Sequence, residues 1–306
     1  MKIGIRIIVV LLSLMLFTPQ EASWASAKTH SHMIESWCDS VIRESKGLKW
    51  NIDPCRDVNW QVGGLSVQGR PLVYAAFGNP QAENTSLVLT AVHGDEVTPF
   101  YLGIRLVEWL RENQSQLKNT RVILAPLVNP DGLFARPRTR VNARGVDVNR
   151  NFGTKDWSAR AHSAWRVRFR SDPRRNPGKN PSSEPETIFQ EELIHQIKPK
   201  KILSIHAPLN FLDYDGPTAM SLARFPRGYI RECLKLRSKL KAISGGFYPG
   251  SLGNFAGQEL GIPTLTLELP SADPAKAESY WKLFNQGIQV MIKYIVPTVD
   301  LTMQSS

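Results

Sequence analysis

Between Leu65 and Tyr294, short apolar runs alternate with longer segments in which apolar residues return every three or four positions. The runs Leu72 to Phe77, Leu87 to Val92, Val122 to Val128, Ile202 to His206 and Thr264 to Leu269 are rich in β-branched residues and predict buried strands. The segments Pro99 to Arg111, Glu184 to Gln196, Gly228 to Ala242 and Ala277 to Tyr294 carry helical spacing, and Ser183 followed by Glu186 predicts a capping box at the start of the second. Interleaved strands and helices predict an α/β fold, a three-layer α/β/α arrangement whose central sheet is mixed, mostly parallel and twisted. Ligand sites in such sheets form at strand ends. The chain shows no internal repeat or low-complexity tract.

The first 27 residues break this pattern. Lys2 and Arg6 precede the apolar stretch Ile7 to Phe17, and Ala25, Ser26 and Ala27 follow as small residues, the order of a secretory signal peptide with the mature chain beginning at Lys28. A membrane anchor is the competing reading, but the run falls short of the roughly 20 residues that span a bilayer. The expectation is an exported protein, periplasmic or secreted, with no stable membrane anchor after cleavage. Residues 28–60 form an N-terminal extension of mixed helical and turn character, and residues 61–300 one large domain with a continuous core. Cys38 and Cys55 flank the extension and either pair in an oxidising compartment or stay as thiols, while Cys233 is expected to be free.

The net charge of +11 is partly local. Arg160 to Lys179 holds Arg166, Arg168, Arg170, Arg174 and Arg175 with Trp157, Trp165 and Phe169 nearby, a mixture that also suits nucleic acid. An exported chain meets cell wall first, so no nucleic-acid partner is expected. Two readings stay open for the segment: a loop beside the cleft that attracts carboxylate-rich substrate or anionic wall polymer, and a solvated surface.

Candidate chemistry begins where the strands end. His93 and Glu96 follow the run that closes at Val92 and offer an imidazole nitrogen and a carboxylate oxygen, a pair that suits zinc. His206 closes a second run and is the candidate third ligand of a single Zn2+ ion that keeps one position for water. Glu268 ends a third run, where an unpaired carboxylate loses solvation unless an ion pair or catalysis accounts for it. Among the arginines of the 136–150 stretch, Arg136 and Arg138 read as a solvated loop, and Asn129 to Gly132 as a turn.

Taken in order, His93 to Glu96, Asn129 to Gly132, Arg140 to Phe152, His206 and Thr264 to Pro270 resemble the zinc carboxypeptidase family of metallopeptidases, over roughly Gly69 to Tyr294. Within that family the chain looks most like the murein peptide amidases, which cut the γ-D-glutamyl to meso-diaminopimelate bond. The supporting features are Ser183 to Thr187, Tyr248 to Gly253 and the Leu267-Glu268-Leu269-Pro270 ending. The resemblance implies His93, Glu96 and His206 as zinc ligands, Glu268 as general base and acid, and Arg140 facing the developing oxyanion. It also implies Asn149 and Arg150 holding a free carboxylate, Tyr248 capping the substrate, and a peptidoglycan peptide or muropeptide as that substrate. Asp213 and Asp215 are candidates to meet its amino group, against a turn role at Asp215 to Pro217. The rivals are a carboxypeptidase acting on protein C-termini, an aspartoacylase-like deacylase and a non-catalytic wall-binding protein. The sequence leaves the oligomeric state open.

Overall fold

A computed structural model describes residues 19–216, 240–242 and 248–296. One eight-stranded sheet runs in the order β1-β2-β4-β3-β5-β8-β6-β7. Its strands are β1 Trp60–Leu65, β2 Pro71–Gly78, β3 Thr85–Thr90, β4 Arg121–Ala125, β5 Lys201–His206, β6 Leu212–Asp215, β7 Leu240–Ala242 and β8 Thr264–Glu268. The central β4-β3-β5-β8 block is parallel, as is β6 with β7; the pairs β1/β2, β2/β4 and β6/β8 are antiparallel. The helices are α1 Pro19–Gly47, α2 Val97–Glu112, α3 Pro130–Phe134, α4 Trp157–Arg168, α5 Pro185–Ile197 and α6 Ala277–Lys293. None of the described helices is long and apolar enough to cross a membrane.

Alternation along the central strands explains the layers. On β3, Val88 packs into a cluster with Phe100 and Ile104 of α2 and Phe284 and Ile288 of α6, which Trp37 and Val41 of α1 also join. Leu87 and Leu89 point the other way, into a cluster with Phe189 and Leu193 of α5. Successive side chains of a strand face opposite sides, so a strand with apolar residues at every position is one covered on both. The expected mixed three-layer sheet is therefore what forms.

The departures have local causes. The runs Leu87 to Val92 and Val122 to Val128 outlast their strands, which end at Thr90 and Ala125; beyond Thr90 the backbone turns through Ala91, in the left-handed region at φ 48°. Of the helix expected at Gly228 to Ala242, only residues 240–242 lie within the description, and they form a strand; Cys233 lies outside it. The expected capping box does not form. Helix α5 starts at Pro185 with Glu184 before it, the Ser183 hydroxyl donates to Glu184, and the Glu186 carboxylate instead accepts from Val67 N and Asn142 Nδ2. Proline at the first helical position starts the turn without a side-chain cap.

Arg160 to Arg168 of the basic segment lie in α4, while Arg170 to Lys179 follow it in loops and a short helical turn at Pro173–Arg175. Much of the N-terminal extension is one helix. Cys38 on α1 and Cys55 ahead of β1 form a disulfide with a Cα–Cα distance of 6.0 Å. Arg136 and Arg138 are also not simply solvated: both bind the buried carboxylate of Glu44 on α1, which ties that helix to the loop leading into Arg140.

Closing a loop of 17 residues constrains the unfolded chain. Replacing Cys38 and Cys55 together by serine is expected to lower unfolding free energy by about 3 kcal/mol, read from urea midpoints, with fold and zinc content unchanged.

Candidate active site

The site is assembled at the ends of β3, β5 and β8. After β3 the chain passes His93 and Gly94 before α2 begins at Val97. Gly94 is required by contact: a Cβ there would lie 2.1 Å from the Gly132 backbone. Asn129 caps α3 by accepting from Gly132 N and donates to Arg140 O, so the Asn-Pro-Asp-Gly stretch is more than a turn and positions the Arg140 strand of the loop. Strand β5 ends on His206, which pairs in register with Glu268 at the end of β8.

Three buried ligand atoms converge. His93 Nδ1 lies 2.7 Å from Glu96 Oε1, His206 Nδ1 lies 3.0 Å from Glu96 Oε2, and the two Nδ1 atoms are 3.1 Å apart. The outer nitrogens are both engaged, His93 Nε2 with Asp147 Oδ1 at 3.1 Å and His206 Nε2 with Ser204 Oγ at 2.9 Å. With the His93 proton on Nε2 and donated to Asp147, its Nδ1 lone pair faces inward. With the His206 proton on Nε2 and donated to Ser204, its Nδ1 does the same. Two imidazole lone pairs and a carboxylate facing one another repel unless a cation lies among them, which is the donor set of a His/Glu/His zinc site.

The charges around the triad agree with that reading. Burial opposes ionisation of Glu96, but His93 and His206 outweigh it and hold its carboxyl well below the usual range. Burial and Arg140 oppose protonation of His93, yet Glu96 and Asp147 raise its pKa above the ordinary value. The site thus attracts positive charge. Burial raises the pKa of Glu268, whose Oε2 accepts from Leu209 N at 3.3 Å.

A cleft of about 360 Å³ brings together all eight residues expected from the sequence: His93, Glu96, Arg140, Asn149, Arg150, His206, Tyr248 and Glu268. Arg140 donates from Nε to Asp147 and from Nη1 to Glu96, which sets its guanidinium at the edge of the triad. The Asn149 oxygen accepts from Leu252 N, so its NH2 end is the one left for a bound anion. Arg150 is buried, donates to Asn149 O and lies 4.4 Å from the Tyr248 ring centre, and no carboxylate pairs with it among the described residues. Burial, with help from Arg140 and Arg175, pushes its pKa down to about 10. Tyr248 also stacks on Phe169 and beneath Arg168.

The auxiliary motifs prove to be braces. Glu184 and Glu186 both accept from Asn142, and Thr187 donates to Val148 O, gripping the loop between Arg140 and Arg150 from behind. Gly250 abuts Arg150, where a Cβ would lie 2.2 Å from its carbonyl oxygen. Asp213 and Asp215 line the cleft from β6; Asp215 ends that strand, the turn expected at Asp215 to Pro217 runs outside the described residues, and burial with Asp213 nearby raises the pKa of Asp215 to about 7. Asp147, Ser204 and Arg175 are site residues that the sequence reading did not assign. Ser204 was findable, because residues two apart on a strand share a face.

These features define a metallopeptidase site, and residues 56–300 match the profile of the zinc carboxypeptidase family, Peptidase_M14. The chain belongs to that family and is a zinc-dependent hydrolase of the amidase and carboxypeptidase class. It is 32% identical over 228 residues to murein peptide amidase A of Escherichia coli K12, covering 72% of this chain and 86% of that protein. It is 33% identical over 219 residues to murein peptide amidase A of Vibrio campbellii, covering 69% and 79% respectively. The murein-tripeptide amidase structure from Escherichia coli O157 superposes with a TM-score of 0.55 at 26% identity, over 78% of this chain and 93% of that one. Carboxypeptidase A from Helicoverpa armigera shares the fold, with a TM-score of 0.61 at 19% identity over 81% and 69%.

Replacing Asp147 by asparagine removes the charged acceptor that orients His93. Zinc affinity, measured by competition with a chelator, is expected to fall about 10- to 100-fold while the protein stays folded.

Proposed function

We propose that the protein is an exported zinc amidase that hydrolyses peptidoglycan stem peptides at the γ-D-glutamyl to meso-diaminopimelate bond. The observation that carries the reading is the meeting, in one cleft, of the His93, Glu96 and His206 ligand atoms with Glu268 and the guanidinium of Arg150, which no carboxylate pairs with among the described residues. A zinc ion held by those three residues supplies Lewis acidity at the amide carbonyl and lowers the pKa of a water toward about 7. Glu268 takes a proton from the attacking water and passes it to the departing amine, a role suited to a carboxyl whose pKa burial has raised. Arg140 donates to the oxygen on which charge develops. Asn149 and Arg150 hold the carboxylate on the amine side of the bond, and a planar guanidinium matches that group with two parallel hydrogen bonds. Tyr248 closes over the same end.

The relatives named as murein peptide amidases support the wall peptide over a protein C-terminus. Diaminopimelate carries a second ammonium group at its far end, and Asp213 and Asp215, which line the β6 wall of the cleft, are the candidates to meet it. Export is supported by the order of residues in Met1 to Ala27 and by the Cys38–Cys55 disulfide, which persists in oxidising compartments.

Two measurements test the reading. The zinc form is expected to release diaminopimelate from L-Ala-γ-D-Glu-meso-diaminopimelate and to leave protein-derived peptides intact, as followed by mass spectrometry. The reverse preference identifies a general carboxypeptidase, and hydrolysis of N-acyl amino acids alone a deacylase. The Glu268→Gln variant is expected to keep zinc and wall binding while hydrolysis falls at least about a hundredfold. Full activity in that variant assigns the base elsewhere, and a wild type that binds wall without hydrolysing any of these substrates is a binding protein.

A further inference from the structure

Beside the triad the cleft carries a second cluster, at the end where Asn149 and Arg150 lie. Phe169 and Tyr248 stack there with ring centres 5.2 Å apart, and three guanidinium groups pack on the pair. Arg150 lies 5.7 Å from the centre of the Phe169 ring and 4.4 Å from that of Tyr248, Arg175 lies 5.5 Å from Phe169, and Arg168 lies 4.3 Å from Tyr248. Arg150 and Arg175 both line the cleft, and no carboxylate pairs with either among the described residues.

These two cations are held at different depths. Arg150 is buried and donates to Asn149 O, whereas Arg175 is half-buried and comes from a separate turn, Pro173–Arg175. Asp172, ahead of the turn, accepts from Arg174 N through its side chain, and its carbonyl accepts from Arg175 N and from the Trp165 indole of α4. Asn176, behind it, donates to Gly145 O and accepts from Asp147 N, and Arg174 binds Asp95 in the loop that carries His93 and Glu96. The backbone of Arg175 is thus fastened on both sides. Cations brought together without a counter-charge repel, and packing on aromatic faces offsets only part of that cost. One carboxylate meets the donors of Asn149 and Arg150; a second guanidinium, nearer the mouth, suits a second anion.

We infer that Arg175 is the receptor for a second carboxylate on the amine-side residue, the one at the end of its side chain. The inference rests on the proposed wall-peptide reading and gives it a determinant of specificity. Asn149 and Arg150 take the carboxylate next to the scissile bond, and Arg175 takes the distal carboxylate of diaminopimelate. Lysine is the same residue without that group. It keeps the ammonium that Asp213 and Asp215 are candidates to meet, so a pocket reading the ammonium alone accepts both residues and one that also reads the carboxylate separates them. Pairing of a carboxylate with a guanidinium fork is strong enough to make that separation large.

The test uses the full zinc-loaded protein and three peptides that all keep the distal ammonium: L-Ala-γ-D-Glu-meso-diaminopimelate, the same peptide with its distal carboxylate as amide, and the lysine analogue. Wild type is expected to favour the acid over both others by about tenfold or more in kcat/KM, the scale of a charge-assisted contact. Arg175→Gln is expected to collapse that preference, chiefly through KM and with zinc content unchanged, and Arg175→Lys to retain part of it. Equal losses on all three peptides overturn the assignment and put Arg175 beside Arg150 on the carboxylate next to the bond. A wild type that does not distinguish the peptides, or a preference that survives in Arg175→Gln, overturns it as well. If wild type hydrolyses none of them, the wall-peptide reading fails, and peptides ending in glutamate or glutamine then decide the receptor by itself: an Arg175-dependent preference for glutamate upholds it, and no preference removes it.

Discussion

Two imidazole nitrogens 3.1 Å apart, each within about a hydrogen bond of the same carboxylate, make a donor set that a cation in its midst would hold together. The rest of the molecule is organised to hold His93, Glu96 and His206 in that arrangement. The parallel register of β3, β5 and β8 brings three strand ends to one place, and Asp147 and Ser204 fix the ring orientations from outside. A histidine free to rotate would turn its lone pair away. Sheet and hydrogen bonds together remove that freedom.

Around this centre the cleft divides its charge. Arg140 is neutralised by Asp147 and Glu96, no carboxylate pairs with Arg150 among the described residues, and Asp213 and Asp215 line the wall from β6. The loop from Arg140 to Arg150 has little regular structure of its own, so its shape comes from outside it. Glu184 and Glu186 grip Asn142, Leu252 binds Asn149, and Glu44 of α1 holds the arginines that lead into it. The N-terminal helix lies wholly ahead of the stretch that matches the family, and through Glu44 it nonetheless braces the catalytic loop.

The strands that carry the site were legible because they are largely buried on both faces and so read as short, mainly apolar runs; β5 ends at His206 as its run predicts, and β8 at Glu268, one residue before the expected run Thr264 to Leu269 does. The outer strands β1, β6 and β7 have short, mixed polar and apolar sequences, which leave no comparable trace. Helix α4 was hidden for a similar reason, since its arginines point to solvent and little of it is buried. All eight expected site residues gather in one cleft, because motif order carries over what local pattern does not. Asp147 escaped assignment because its role depends on a contact made across the fold, with His93.

The central claim is that these three side chains share one ion through the nitrogens that face each other. Anomalous diffraction at the zinc edge, from crystals of the metal-loaded protein, tests it most directly. A single peak bonded to Nδ1 of His93, Nδ1 of His206 and the Glu96 carboxylate is the expected result. A peak on the outer Nε2 atoms, on other residues, or none at all would contradict it.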